Sequence, residues 1–164
     1  MIQLFLTGGT IDKHYRQDNG ELDFAETNLH DMLALGRNQS AITIEQLMLK
    51  DSLDMDKFDR AHIADSCSRC IANKILITHG TDTMVETAQF IATMHPQLLT
   101  EKTIVLFGAM IPYSVNNSDA MFNLGFAIGA LNMQTPGIYI AMNGLVFPYD
   151  AVQKNREKMI FEAI

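Results

Sequence analysis

Basic residues are scarce in this chain: 12 lysines and arginines face 19 aspartates and glutamates. The resulting formal net charge of −7 has the wrong sign for a surface that binds nucleic-acid phosphates, and no long basic cluster offsets it. Long apolar runs are also missing. None approaches the ~18 residues needed to cross a membrane. Only Ile2 to Leu6 precede the first glycine turn, with no basic stretch, so no signal peptide and a cytoplasmic location are expected. The two cysteines, Cys67 and Cys70, have Cys-x-x-Cys spacing. A thioredoxin-like pair would open a helix, whereas these fall inside a stretch that reads as one, so two ordinary thiols are expected. None of the five histidines has the spacing of a zinc motif, and no metal site is expected. The glycine turns match neither Gly-x-Gly-x-x-Gly nor the phosphate loop ending in Gly-Lys-Thr, so no nucleotide or other cofactor is expected.

What is present alternates short strands with helices. Ile2–Leu6, Ile42–Leu49, Ile75–Thr78, Thr103–Phe107 and Gly137–Met142 read as strands. Between them Asn28–Gly36, Asp56–Ala72, Thr83–Met94 and Asp119–Leu131 read as helices. The second is expected to pack through Phe58, His62, Ile63 and Ile71. Strict alternation implies an α/β fold: an open, mainly parallel sheet wrapped by helices on both faces, in a three-layer Rossmann or flavodoxin-like arrangement. Residues 1–164 are long enough for one domain with a substantial core, and one is expected. Met84, Met94, Met110, Met121 and Met133, with Phe122 and Phe126, fall at core-like places. Asp12–Phe24 lacks an obvious period and reads as a long loop, the kind that serves as a lid. The tail from Asp150 to Ile164 is expected to form a loop and a short helix.

Two glycine-bearing turns, Thr7-Gly-Gly-Thr-Ile11 and His79-Gly-Thr-Asp-Thr83, each follow a strand. In open α/β sheets ligands bind at the carboxyl ends of strands. A threonine hydroxyl is a poor nucleophile unless a base and an oxyanion site assist it. Gly8 and Gly9 permit a sharp turn with uncovered N–H groups, and Thr10 follows them into the crevice. In the second turn Thr83 and Glu86 have capping-box spacing. Thr81 and Asp82 then stand just outside the helix, beside its positive end. His79 is expected to orient that turn.

Those two motifs, with Gly108-Ala-Met-Ile-Pro112 and Ser118-Asp-Ala-Met-Phe-Asn-Leu124, resemble the bacterial-type L-asparaginase family over essentially the whole chain. The resemblance covers that family's N-terminal, catalytic domain. It implies that Thr10 is the nucleophile and that Tyr15, on the stretch behind it, helps activate it. It implies a threonine–lysine–aspartate cluster of Thr81, Lys154 and Asp82. It also implies substrate contacts from Gly9, Asp51, Ser52, Thr81, Asp82 and Ala109, with Ser52 on the α-carboxylate and Asp82 on the α-ammonium group. Ser52 and Lys154 would otherwise read as a turn serine and a surface lysine.

The family pattern includes a second, smaller domain that lends a carboxylate, and no counterpart is present in these residues. Glu21 or a partner chain is the candidate replacement for orienting Tyr15. Leu53 stands where many relatives carry a polar side chain. The expected function is hydrolysis of L-asparagine to L-aspartate and ammonia. Glutamine hydrolysis, ammonia supply to an amidotransferase, and non-catalytic amino-acid binding are the alternatives. The apolar Asp119–Leu131 helix suggests a homodimer or larger.

Overall fold

The computed structural model describes residues 1–164. Its first strand, β1 (Ile2–Gly8), is buried along its whole length. Leu4 and Leu6 enter one core and Phe5 the other, because successive side chains point to opposite faces. Burial on both faces is why Leu4-Phe5-Leu6 is a continuous apolar run rather than an alternating one. A 3-10 turn, Thr10–Asp12, leads into β2 (Lys13–Tyr15) and β3 (Leu22–Phe24). There follow α1 (Leu29–Leu35), β4 (Ile42–Lys50), α2 (Lys57–Arg69), β5 (Lys74–Thr78), α3 (Met84–Met94) and α4 (Leu98–Glu101). The remainder is β6 (Thr103–Phe107), α5 (Ala120–Met133), β7 (Gly137–Met142), β8 (Leu145–Pro148), β9 (Val152–Asn155) and β10 (Ile160–Ala163).

Six strands form one sheet in the order β4-β1-β5-β6-β7-β8. All its neighbours pair in parallel except β8, which runs antiparallel to β7. Leu29 and Met32 of α1 and Leu124, Ala127 and Leu131 of α5 pack on one face with Leu76, Val105 and Phe107. Ile63 of α2 and Met84 and Ile91 of α3 pack on the other with Ile75, Ile77 and Leu106. This is the expected three-layer α/β architecture. Taken in chain order the five parallel strands stand 2-1-3-4-5. Winding therefore reverses between β1 and β5, and a crevice opens at the carboxyl ends of those two strands.

Four expectations need correction. The stretch Asp12–Phe24 is not a loop without period. It holds the antiparallel β2–β3 hairpin, pairing Lys13 with Phe24, His14 with Asp23 and Tyr15 with Leu22. Both faces are largely open to solvent, so no hydrophobic alternation marks it. The tail is not helical either: β9 and β10 form a second antiparallel hairpin, which buries Val152 and Phe161 in the core on the α3 side. In α2 the buried side is Ile63, Ala64 and Cys67, whereas Phe58 and Ile71 are 72% and 92% exposed. Small side chains let this helix lie close to the sheet, and its larger residues are left outside. Met94, Met133 and Phe122 are likewise exposed, although Met84 is fully buried.

The ends of β1 and β5 are stitched together. Thr7 Oγ1 donates to the Thr78 carbonyl at 2.5 Å, and the Thr7 N–H donates to Thr78 Oγ1 at 3.2 Å. Beyond them the backbones touch. A Cβ on Gly9 would lie 2.4 Å from Gly80 N, and Gly9 has φ +85°. A Cβ on Gly108 would lie 2.3 Å from the His79 carbonyl oxygen. Gly9→Ala is therefore expected to cost at least ~2 kcal/mol, through overlap and left-handed strain together. Gly129→Ala, on a helix surface with nothing near the added carbon, is expected to gain ~0.5–1 kcal/mol. Urea unfolding midpoints of the two variants check the opposite signs.

Candidate active site

Thr10 begins the 3-10 turn after β1, is half-buried, and has a hydroxyl free of hydrogen bonds. The preceding Gly9 N–H donates to the Lys50 carbonyl at 2.9 Å. That donor is thus closed to a substrate oxygen, contrary to the expectation that both glycine N–H groups stand uncovered. A residue joining two strand ends this closely needs its N–H satisfied locally.

His79, Gly80, Thr81 and Asp82 form the second turn, and α3 starts at Met84. The expected Thr83–Glu86 capping box is absent. Thr83 Oγ1 donates instead to the Ser52 carbonyl at 2.8 Å, and Glu86 lies exposed, 3.5 Å from Arg60. Thr83 faces inward, where a buried carbonyl needs a donor more than the solvated helix end needs an acceptor. Its hydroxyl ties the second turn to the turn after β4.

Lys154 reaches this turn from β9. Its Nζ donates to Thr81 Oγ1 at 2.7 Å and to Asp82 Oδ1 at 3.0 Å. Thr81 and Lys154 are nearly buried, whereas Asp82 is partly open to the crevice. Arg156, two residues on, also donates to Asp82 Oδ1 at 2.7 Å. Arg156 opens the turn that follows β9, so both cations come from one hairpin.

Asp51 accepts from Lys13 Nζ at 2.5 Å and from the Leu53 N–H at 3.1 Å. The Lys13 ammonium holds its carboxyl below the usual carboxylate range. Ser52 is buried and its Oγ has no partner. It sits so close to Gly80 that a Cβ there would be 2.5 Å from the hydroxyl. Ala109 is buried, with its side chain in the α5 core. Asp119 fixes that segment by accepting from the Met110 and Ile111 N–H groups at 3.0 Å. Asn123 reinforces it, donating to Asp119 at 2.8 Å and to the Gly108 carbonyl at 3.0 Å.

Tyr15 is not brought to Thr10. It is 58% exposed, without a side-chain hydrogen bond, and its hydroxyl points toward Gly20 at the hairpin tip. Glu21 is bonded to Asn19 instead. The hairpin's base is nevertheless fastened. Buried Asp12 accepts from Thr27 Oγ1 at 2.7 Å, and Ser114 Oγ donates to the Lys13 carbonyl at 2.9 Å. Burial pushes the Asp12 carboxyl up. Sequence reasoning missed Lys13, Arg156, Asp119 and Asn123. The signal for Arg156 was its Lys-x-Arg spacing with Lys154. Lys13 offered no signal, because its partner lies 38 residues away.

His79 is fully buried, with Nδ1 2.8 Å from the Gly80 carbonyl oxygen and Nε2 without a partner. A neutral ring donating from Nδ1 fits this geometry, and burial pushes the imidazole down to about 4. It buttresses the turn from behind and does not face the crevice. No group of three or more His, Cys, Asp or Glu side chains is arranged to hold a metal ion. The larger cavity, about 410 Å³, lies elsewhere, between α2 and the first halves of β1 and β4, and none of the threonine-turn residues lines it.

Residues 1–161 match the family model described as "Asparaginase, N-terminal". A glutaminase-asparaginase of Pseudomonas fluorescens biotype A is 35% identical over 105 residues, which is 61% of this chain and 26% of that protein. One subunit of the glutamyl-tRNA(Gln) amidotransferase of Methanococcus maripaludis is 28% identical over 148 residues, 87% of this chain and 35% of that protein. The solved thermostable L-asparaginase of Thermococcus kodakarensis superposes with a TM-score of 0.85 at 28% identity. That superposition takes in 100% of this chain and 51% of the other. The chain thus spans about half the length of that relative, and less of the curated ones.

The buried neutral His79 predicts a pH dependence of stability. The unfolded chain takes up a proton near 6.5 and the folded one only near 4. The contribution is therefore complete above pH 6.5 and is lost as the pH falls toward 4. It amounts to on the order of 3 kcal/mol. Unfolding free energies of the chain and of His79→Gln, measured across this window, should converge on acidification. A constant difference would refute the assignment.

Proposed function

The chain belongs to the asparaginase family, and on that premise we propose that it is an amidohydrolase, releasing ammonia from the side-chain amide of L-asparagine or a close ω-amide relative. The observation that carries the reading is the Thr81–Lys154–Asp82 cluster, hydrogen-bonded at 2.7 and 3.0 Å where the two glycine turns touch. A surface lysine has no reason to be held against a buried threonine hydroxyl; a proton-handling lysine does.

In this reading Thr10 Oγ attacks the amide carbon, the tetrahedral oxyanion is met by backbone N–H groups ahead of α3, and ammonia leaves an acyl-enzyme. Lys154 and Thr81 pass the protons and place the hydrolytic water, while Asp82 holds Lys154 in position. Ser52, whose buried hydroxyl has no partner in the protein, contributes to carboxylate binding, with Asp51 setting its turn. Tyr15 acts only after the β2–β3 hairpin moves to bring it over Thr10.

That displaced tyrosine is also what favours a second reading, a module that binds an amino acid without turning it over. Glutamine in place of asparagine is a further variant, and the resemblance to part of an amidotransferase gives ammonia supply a precedent. One methylene changes binding by only ~1–3 kcal/mol, so the two amides stay close competitors. Self-association is part of the proposal, since α5 leaves Phe122 and Met133 exposed.

Ammonia release from asparagine and glutamine tests the scheme. Thr10→Ala, Thr81→Ala and Lys154→Met are each expected to lower kcat by at least ~100-fold. Turnover that survives both threonine substitutions would overturn the mechanism. Saturable asparagine binding in a calorimeter without turnover would establish the binding module instead. Light scattering should give a mass above the monomer's.

A further inference from the structure

One carboxylate oxygen in the candidate site holds two cations. Asp82 Oδ1 accepts from Lys154 Nζ at 3.0 Å and from Arg156 Nη1 at 2.7 Å. Lys154 also serves Thr81. Arg156 has no other hydrogen bond, and the proposed chemistry gives it no task. Its side chain is 67% exposed, so packing is not what holds it there. The hairpin delivers it: Asn155 accepts the Lys158 N–H at 3.0 Å, closing the turn, and donates to Glu162 on β10. Gln153 and Asn155 thus face Glu162, while Lys154 and Arg156 face Asp82.

An exposed ion pair adds little stability, but this one stands on the group that the family resemblance assigns to a substrate's α-ammonium. A guanidinium cannot give up its charge to make room. Around the crevice two carboxylates, Asp51 and Asp82, meet three cations, Lys13, Lys154 and Arg156. One positive charge is in excess. Both cations sit on Oδ1, so an incoming α-ammonium would take Oδ2 with the guanidinium beside it on the same carboxylate, like charges at close quarters. A substrate that brings its carboxylate alone meets a field of the right sign.

We propose that Arg156, paired to Asp82, neutralises that carboxylate and opposes a substrate α-ammonium there, so that the site selects ω-amides of simple carboxylic acids without a charged α-amino group. This rests on the amidohydrolase reading. Arg156 then sets specificity through Asp82 and takes no part in bond making.

Succinamate is L-asparagine with hydrogen in place of the α-ammonium, and the pair isolates this one group. Ammonia release from both is measured with the full chain and with Arg156→Ala and Arg156→Lys. The chain is expected to show a kcat/KM for succinamate at least about tenfold above that for asparagine. Arg156→Ala should move that ratio about tenfold toward asparagine, mainly through KM, and Arg156→Lys should recover part of the preference. Each ratio is internal to one protein, so loss of folded material cancels. A chain that prefers asparagine, or a ratio untouched by Arg156→Ala, overturns this inference and leaves the amidohydrolase reading standing. No ammonia from either amide with any of the three proteins overturns both.

Discussion

The close contact of backbones at the switch point is the constraint on which the rest of the site depends. Gly9 lies against Gly80, Gly108 against the His79 carbonyl, and Gly80 against the Ser52 side chain. No side chain larger than hydrogen fits at these three places. The reward for that restriction is geometric. Turns from three neighbouring strands and from the end of β4 meet at one point, and Thr10 and Thr81, the residues after Gly9 and Gly80, are carried there on rigid strand ends. Thr7 and Thr78 lock the register of β1 and β5 just beneath. The buried imidazole of His79 fills the space behind.

Around this uncharged centre the ionic groups are distributed by distance along the chain. Lys13 and Asp51 sit on the first-turn side, and Asp82, Lys154 and Arg156 on the other. The lysines are partly desolvated, so their pairing with carboxylates is more than surface decoration. Asp119 plays a quieter part. Its carboxylate gathers two backbone N–H groups after Ala109, and Asn123 keeps it there. The third strand end is thereby as well fixed as the first two.

What could be read from the sequence follows from how each element is buried. The inner parallel strands β1, β5, β6 and β7 are covered on both faces, so their apolar runs stood out, and the helices between them gave the three-layer fold directly. The β2–β3 and β9–β10 hairpins escaped because one is solvated on both faces and the other buries only single residues such as Val152 and Phe161. Thr10, Thr81 and Asp82 were legible from turn chemistry. Lys154 was legible only through family resemblance, since nothing local marks a lysine whose partners lie more than 70 residues away. Thr83 misled because its spacing to Glu86 suited a cap, while a buried carbonyl from a distant turn claimed its hydroxyl. Lys13 and Arg156 act through partners that no local pattern reveals.

The β9–β10 hairpin has one more consequence, which concerns time rather than space. A chain leaving the ribosome exposes Thr10 first and Thr81 midway, although domains fold as units rather than strand by strand. Lys154 and Arg156 follow well after both. Until their hairpin docks, the threonines face the crevice without any cation from this quarter, and Asp82 stands alone. The two cations on Asp82 are thus made after all six strands of the sheet, so Asp82 gains these partners only once the strands beneath it have all been made.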